Sequence, residues 1–150
     1  MPGVNLSRAE ATVRANTIAV KDYAVSLDFT QGEQTFLSRS IINFDATSDV
    51  RETFLDVVAQ SITSAKLNGI DLDLSNFDGE SLFLTGLQAS NTLDIQVVAL
   101  YSNTGEGLQR SVDPVDGEVY LYSQGETNYI RKMYPCFDQP SLKAEFSFDV

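Results

Sequence analysis

Three groups of side chains in this sequence could carry chemistry, and their neighbours decide what each can do. Cys136 is the only thiol and stands in Pro135-Cys136-Phe137-Asp138-Gln139-Pro140. A thiol becomes a nucleophile when a base or a positive charge draws off its proton, and the apolar neighbours here favour a buried, inert one. Asp138 beside it reads as a turn or capping residue. Asp113, Asp116 and Glu118 gather three carboxylates in one loop. Their spacing lacks the D-x-[DN]-x-[DN]-G pattern of a calcium loop, so they read as solvated turn carboxylates. Glu126 closes the run Ser123-Gln124-Gly125-Glu126, and an acid at the start of a helical turn stabilises the helix dipole. Arg110 and Arg131 read as salt-bridge partners within the fold.

The residue type that is missing excludes the most. The 150 residues contain no histidine. No Ser-His-Asp triad, Cys-His pair or H-E-x-x-H zinc helix can be assembled from them. A zinc site made of Asp, Glu and a single Cys would depart from the usual ligand sets. Catalysis by this chain alone is therefore not expected.

Bulk composition narrows the partners. Ten basic residues stand against 21 acidic ones, a net charge of −11. Such a surface repels nucleic-acid backbones and anionic membranes, and it tolerates cationic ligands such as a protonated amino terminus. Hydrophobic residues at 43% and charged residues at 21% are globular proportions. One cysteine forms no internal disulfide, and the opening MPGVNLSRAEATVR lacks the apolar stretch of a signal peptide. A cytoplasmic location is the expectation.

The elements that must position these residues are mostly strands. Ser7-Arg8-Ala9-Glu10 has the S-x-x-E form of a capping box and opens a short helix to about Arg14. Tyr23, Val25, Leu27 and Phe29 then alternate with small or polar residues, and Phe36, Ser38, Ser40, Ile42 and Phe44 share one face, which predicts a hairpin across Gln31-Gly32-Glu33. Further strands are expected over 53–58, 61–67, 81–84, 92–101 and 118–122, with a tight turn at Asn68-Gly69. Residues 102–117 hold Gly105, Gly107, Pro114 and Gly117 and read as one long loop. Residues 126–134 can form two helical turns before Pro135. Leu142, Ala144, Phe146, Phe148 and Val150 alternate as a last strand that meets no turn or cap, so the expected truncation lies at that C-terminal edge, inside a longer protein. The expected fold class is all-β: a mostly antiparallel β-sandwich or saddle-shaped sheet with a short N-terminal helix and a short helix near 127–134.

The stretches 104–110 (TGEGLQR) and 112–122 (VDPVDGEVYLY), then Ser123-Gln124-Gly125-Glu126, Arg131 and the Pro135 to Pro140 block, occur in an order that resembles the N-terminal domain of aminopeptidase N-like zinc metallopeptidases. The opening Asn5-Leu6-Ser7-Arg8-Ala9-Glu10-Ala11 and the later Tyr23, Val25, Leu27 and Asp28 look like the actinobacterial branch of that family. The resemblance covers essentially the whole chain. It implies that residues 1–150 form one N-terminal β-domain that packs on a separate catalytic domain in cis. That second domain supplies the zinc ligands and a G-x-M-E-N motif, none of which is present here. It further implies that the residue matching Glu126 helps hold the α-amino group of a peptide N-terminus, and that the residue matching Gln124 lines the pocket beside the first side chain. No cofactor is expected on this chain and zinc is expected in the parent enzyme. A large exposed apolar face is expected where the catalytic domain sits. The rival expectation is a stand-alone β-sandwich module that binds protein or carbohydrate, although no Trp is available for sugar stacking.

Overall fold

The computed structural model describes residues 5–150, and residues 1–4 of the expected domain lie outside it. Helix α1 spans Arg8–Thr17. Its capping box forms as the sequence predicts: the Glu10 amide donates to Ser7 Oγ at 3.2 Å, and the Ser7 amide donates to the Glu10 carboxylate at 2.9 Å. The helix runs three residues past Arg14 and passes directly into strand β1, Ile18–Asp28.

Strand β2 (Thr35–Ala46) pairs antiparallel with β1, which bears out the predicted hairpin. β3 (Glu52–Asp56), β4 (Ser61–Leu67), the short β5 (Ile70–Asp71), β6 (Ser81–Thr85) and β7 (Ser90–Leu100) follow. Asn68 and Gly69 both hold positive φ, 54° and 82°, which is the backbone a two-residue hairpin turn requires. β7 inserts between β2 and β4, and β10 (Glu145–Asp149) pairs parallel to β1. A six-stranded sheet results, in the order β10-β1-β2-β7-β4-β5. β3 and β6 form a separate antiparallel pair.

Alternation decides what is buried. Phe36, Ile42 and Phe44 of β2, with Leu93, Ile95, Val97 and Ala99 of β7, point into one core cluster that also takes Leu55 of β3 and Leu82 and Leu84 of β6. Burying each large side chain contributes roughly 1.5–3 kcal/mol. The opposite face of the six-stranded sheet is polar and cross-linked. Arg39 binds Asp94 through two hydrogen bonds of 2.8 and 2.7 Å, and Lys21 reaches Asp45 at 2.7 Å.

Two expectations change. Residues 102–117 are not one long loop, because β8 (Gly107–Val112) lies within them and pairs with β9 (Val119–Gln124) as a two-stranded hairpin. The glycines that suggested a loop lie at its ends: Gly105 and Gly107 before β8, and Gly117 in the connecting turn, all with positive φ. The short helix expected near 127–134 is present as a single 3-10 turn, Ile130–Lys132, between other turns. Asn128, at φ 75°, breaks any longer helix.

Candidate functional site

Residues between Gly125 and Pro140 form much of the wall of an open cleft of about 550 Å³. Gly125, Glu126 and Thr127 line one part of it, Ile130 and Tyr134 another, and Cys136 to Pro140 a third. Tyr23, Leu142, Lys143, Ala144 and Phe146 complete the lining. β9 ends at Gln124, whose register partner is Gly107, and the chain turns through Gly125 to bring Glu126 to the cleft. Gln124 stands exposed just outside the lining. Among the described residues the exposed Glu126 side chain accepts no hydrogen bond and forms no ion pair. No α-helix starts behind it, so the dipole role that its position suggested has no helix to act on.

A buried charge network fixes the segment that follows. Asp56, 1% exposed, accepts from Arg14 Nη1 at 2.8 Å and lies 3.4 Å from Arg131 Nη1. Arg131 Nε donates to Asp138 at 3.1 Å, and Arg131 Nη2 donates to the Asn128 side chain at 2.9 Å. The Asp138 amide donates back to Asp56 at 2.9 Å. Arg14 Nε donates to Gln139 Oε1 at 2.9 Å, and its guanidinium lies 4.5 Å from the Phe54 ring centre. Two cations and two anions meet out of water, which is tolerable only because each is paired and hydrogen-bonded. The Pro135 to Pro140 block is thus an anchor. Cys136 exchanges backbone hydrogen bonds with Asp56, Phe137 packs edge-on against Phe44 at 5.2 Å, and Gln139 donates to the Ala11 carbonyl at 2.8 Å.

Sequence reasoning placed Arg131 and Arg110 in internal salt bridges, and both are: Arg110 lies 3.8 Å from Glu33. It did not single out Arg14 or Asp56, which lie 42 residues apart with no local pattern to link them. The loop carboxylates behave as turn residues. Asp113 accepts from the Val115 amide at 2.7 Å, and Asp116 from the Glu118 amide at 2.8 Å.

Nothing in the cleft is poised as a nucleophile. Burial, reinforced by the Asp138 and Asp56 carboxylates, holds the Cys136 thiol well above its ordinary pKa. Burial likewise raises the phenols of Tyr23 and Tyr134. The Tyr23 hydroxyl accepts the Phe137 amide at 3.1 Å, and its ring stacks on Phe146 at 4.6 Å. Among the described residues, no three His, Cys, Asp or Glu side chains gather where they could hold a metal ion.

Residues 19–150 match the model of the peptidase M1 N-terminal domain. The chain belongs to that family. Over its whole length it is 41% identical to aminopeptidase N of Streptomyces lividans, and it is 30% identical over 87% of its length to a probable aminopeptidase 1 of Saccharolobus solfataricus. It spans only 18% and 16% of those proteins. Leukotriene A4 hydrolase from Saccharomyces cerevisiae superposes with a TM-score of 0.73 over 99% of this chain and 24% of its own, at 20% identity. An M1 zinc metallopeptidase from Deinococcus radiodurans gives 0.64 over 88% of this chain and 32% of its own, at 19% identity. Those two likenesses are of fold. The Deinococcus M1 protein is a zinc metallopeptidase, and the described residues of this chain do not fit a zinc ion. The thiol is buried and its pKa is raised, histidine is absent, and among the described residues no carboxylate cluster replaces it.

Proposed function

We propose that this domain lends Glu126, with Gln124 beside it, to the substrate cleft of a zinc aminopeptidase whose catalytic domain packs against it in cis. One observation carries the reading: an exposed carboxylate with no partner among the described residues sits at a cleft, on a segment that buried ion pairs hold in place. A peptide's terminal ammonium offers three donors and no acceptor, so an acceptor-only carboxylate at the cleft suits it. Holding the amine fixes the register of the first peptide bond, which restricts cleavage to the terminal residue. Gln124 borders the first side chain. Residues 1–150 act as one N-terminal β-domain, and the zinc ligands belong to residues of the parent outside this chain. The Deinococcus relative was solved with a Tyr-Ser-Ala substrate, the class of ligand this reading needs.

The acidic surface disfavours nucleic acid and anionic membranes, and the single buried thiol fits a reducing, cytoplasmic setting. Among the described residues no helix is long and apolar enough to cross a membrane. The stand-alone module loses its ground once the chain is placed in a family of peptidase N-terminal domains.

The test is Glu126→Ala in the full-length parent, assayed on amino-acid anilides. The expected result is a KM raised on the order of a hundredfold, with the melting temperature unchanged, because hydrogen bonds to a charged group contribute roughly 1.5–3 kcal/mol. Activity near that of the unaltered enzyme would refute the assignment.

A further inference from the structure

Most glycines here serve turns. Gly32, Gly69, Gly79, Gly86, Gly105 and Gly117 have positive φ and open space where a side chain would project. Gly125 is different, because its φ lies outside the left-handed region and what crowds it is one side chain, that of the half-buried Ile130. A Cβ there would stand 2.7 Å from Ile130 Cδ1 and 3.1 Å from Ile130 Cγ1. Gly107 is crowded more firmly on the neighbouring strand, where a Cβ would lie 2.8 Å from Lys132 Cβ and 3.2 Å from the Tyr129 carbonyl oxygen. Gly107 is the register partner of Gln124, so both crowded glycines lie at one end of the β8–β9 hairpin. Both meet the same 3-10 turn.

That turn is itself tied to the core. Arg131, at its centre, is 2% exposed and binds Asp56 and Asp138. Lys132 pairs with Glu106 across the base of the hairpin and lies 5.5 Å from the Tyr129 ring centre. A rigid path therefore leads from the buried ion pairs to Ile130, and from Ile130 to the backbone between Gln124 and Glu126. We propose that Gly125 and Ile130 form a positioning lock: Ile130 occupies the space a side chain at 125 would take, and its packing on the bare backbone sets how far Glu126 reaches into the cleft. Both are positioning residues, and their role rests on the substrate-amine reading of Glu126.

The experiment uses the full-length parent enzyme with leucine anilide as substrate, and compares Gly125→Ala, the double variant Gly125→Ala with Ile130→Ala, and Glu126→Ala. Gly125→Ala forces the Ile130 side chain off the backbone it packs on. It is expected to raise KM on the order of tenfold, with kcat and melting temperature held, since a small misplacement of a binding group weakens binding without unfolding the protein. Ile130→Ala in the Gly125→Ala background opens the space again and is expected to recover most of the lost KM. A Gly125→Ala enzyme with unaltered KM, or a loss that Ile130→Ala leaves unrelieved, overturns the lock while Glu126→Ala still reads as impaired. An unimpaired Glu126→Ala enzyme overturns the amine reading and the lock together.

Discussion

At the scale of single residues, the buried charges and hydroxyls have opposite consequences. Asp56 compensates two guanidinium groups at 1% exposure. Asp56→Ala leaves both buried without it and is expected to cost about 3–5 kcal/mol, enough to unfold many domains. Chemical denaturation of the chain measures this. Ser38 and Ser40 are fully buried on β2, opposite Val97 and Ile95, and their hydroxyls have no hydrogen-bond partner among the described residues. Removing an unsatisfied hydroxyl recovers its desolvation penalty, so Ser38→Ala is expected to be neutral or stabilising by up to about 1 kcal/mol in the same measurement. Cys136 should resist a thiol reagent in the native chain and react on unfolding, because the buried thiol stays protonated. Rapid labelling under native conditions would contradict that.

At the scale of elements, much was legible where periodicity was clean. The alternation of β2 and β7 names the core residues correctly, since one side of each strand faces a single cluster. The capping box and the Asn-Gly turn were legible because their chemistry is local. β8 was not, because glycines at strand ends and glycines in loops look alike in sequence. The turn at Ile130–Lys132 was read too long because apolar spacing cannot show that Asn128 takes a left-handed backbone. The anchor made by Arg14, Asp56, Arg131 and Asp138 joins α1, β3 and the cleft wall, and no local pattern encodes it. Glu126 and Gln124 were singled out only through family resemblance. The geometry puts Glu126 in the cleft lining and leaves Gln124 beside it. Gly107→Ala tests the hairpin as a unit, because it adds both a left-handed penalty and a contact with Lys132. It is expected to cost about 1–3 kcal/mol of unfolding free energy in chemical denaturation, and a change near zero would show that the hairpin base yields freely.

At the scale of the whole molecule, charge and surface set the behaviour. Asp28, Asp45 and Asp94 have carboxyl pKa values lowered by side-chain hydrogen bonds, from Thr30, Lys21 and Arg39 respectively. A lowered folded pKa adds stability above the unfolded value and loses it as pH falls, so acid destabilisation begins below about pH 4. Tyr23, Tyr134 and Cys136 have raised values. Their contribution is complete below the unfolded pKa and is lost as pH rises, so stability declines above about pH 8.5, the thiol's ordinary value. Thermal melts across pH locate both edges. Exposed large apolar side chains include Val119, Tyr120, Leu121 and Tyr122 on β9 and Phe146 and Phe148 on β10, and others such as Val13, Ile70 and Val115 lie elsewhere on the surface.

The central claim is that this domain grips the amino group of the substrate through Glu126. A chemical double-mutant cycle addresses it directly: the full-length parent and its Glu126→Ala variant are each titrated with a peptide-like inhibitor and with the same inhibitor lacking its α-amino group. If Glu126 grips the amine, the unaltered enzyme prefers the amine-bearing inhibitor by on the order of a hundredfold and the variant loses most of that preference. An equal preference in both enzymes would contradict it.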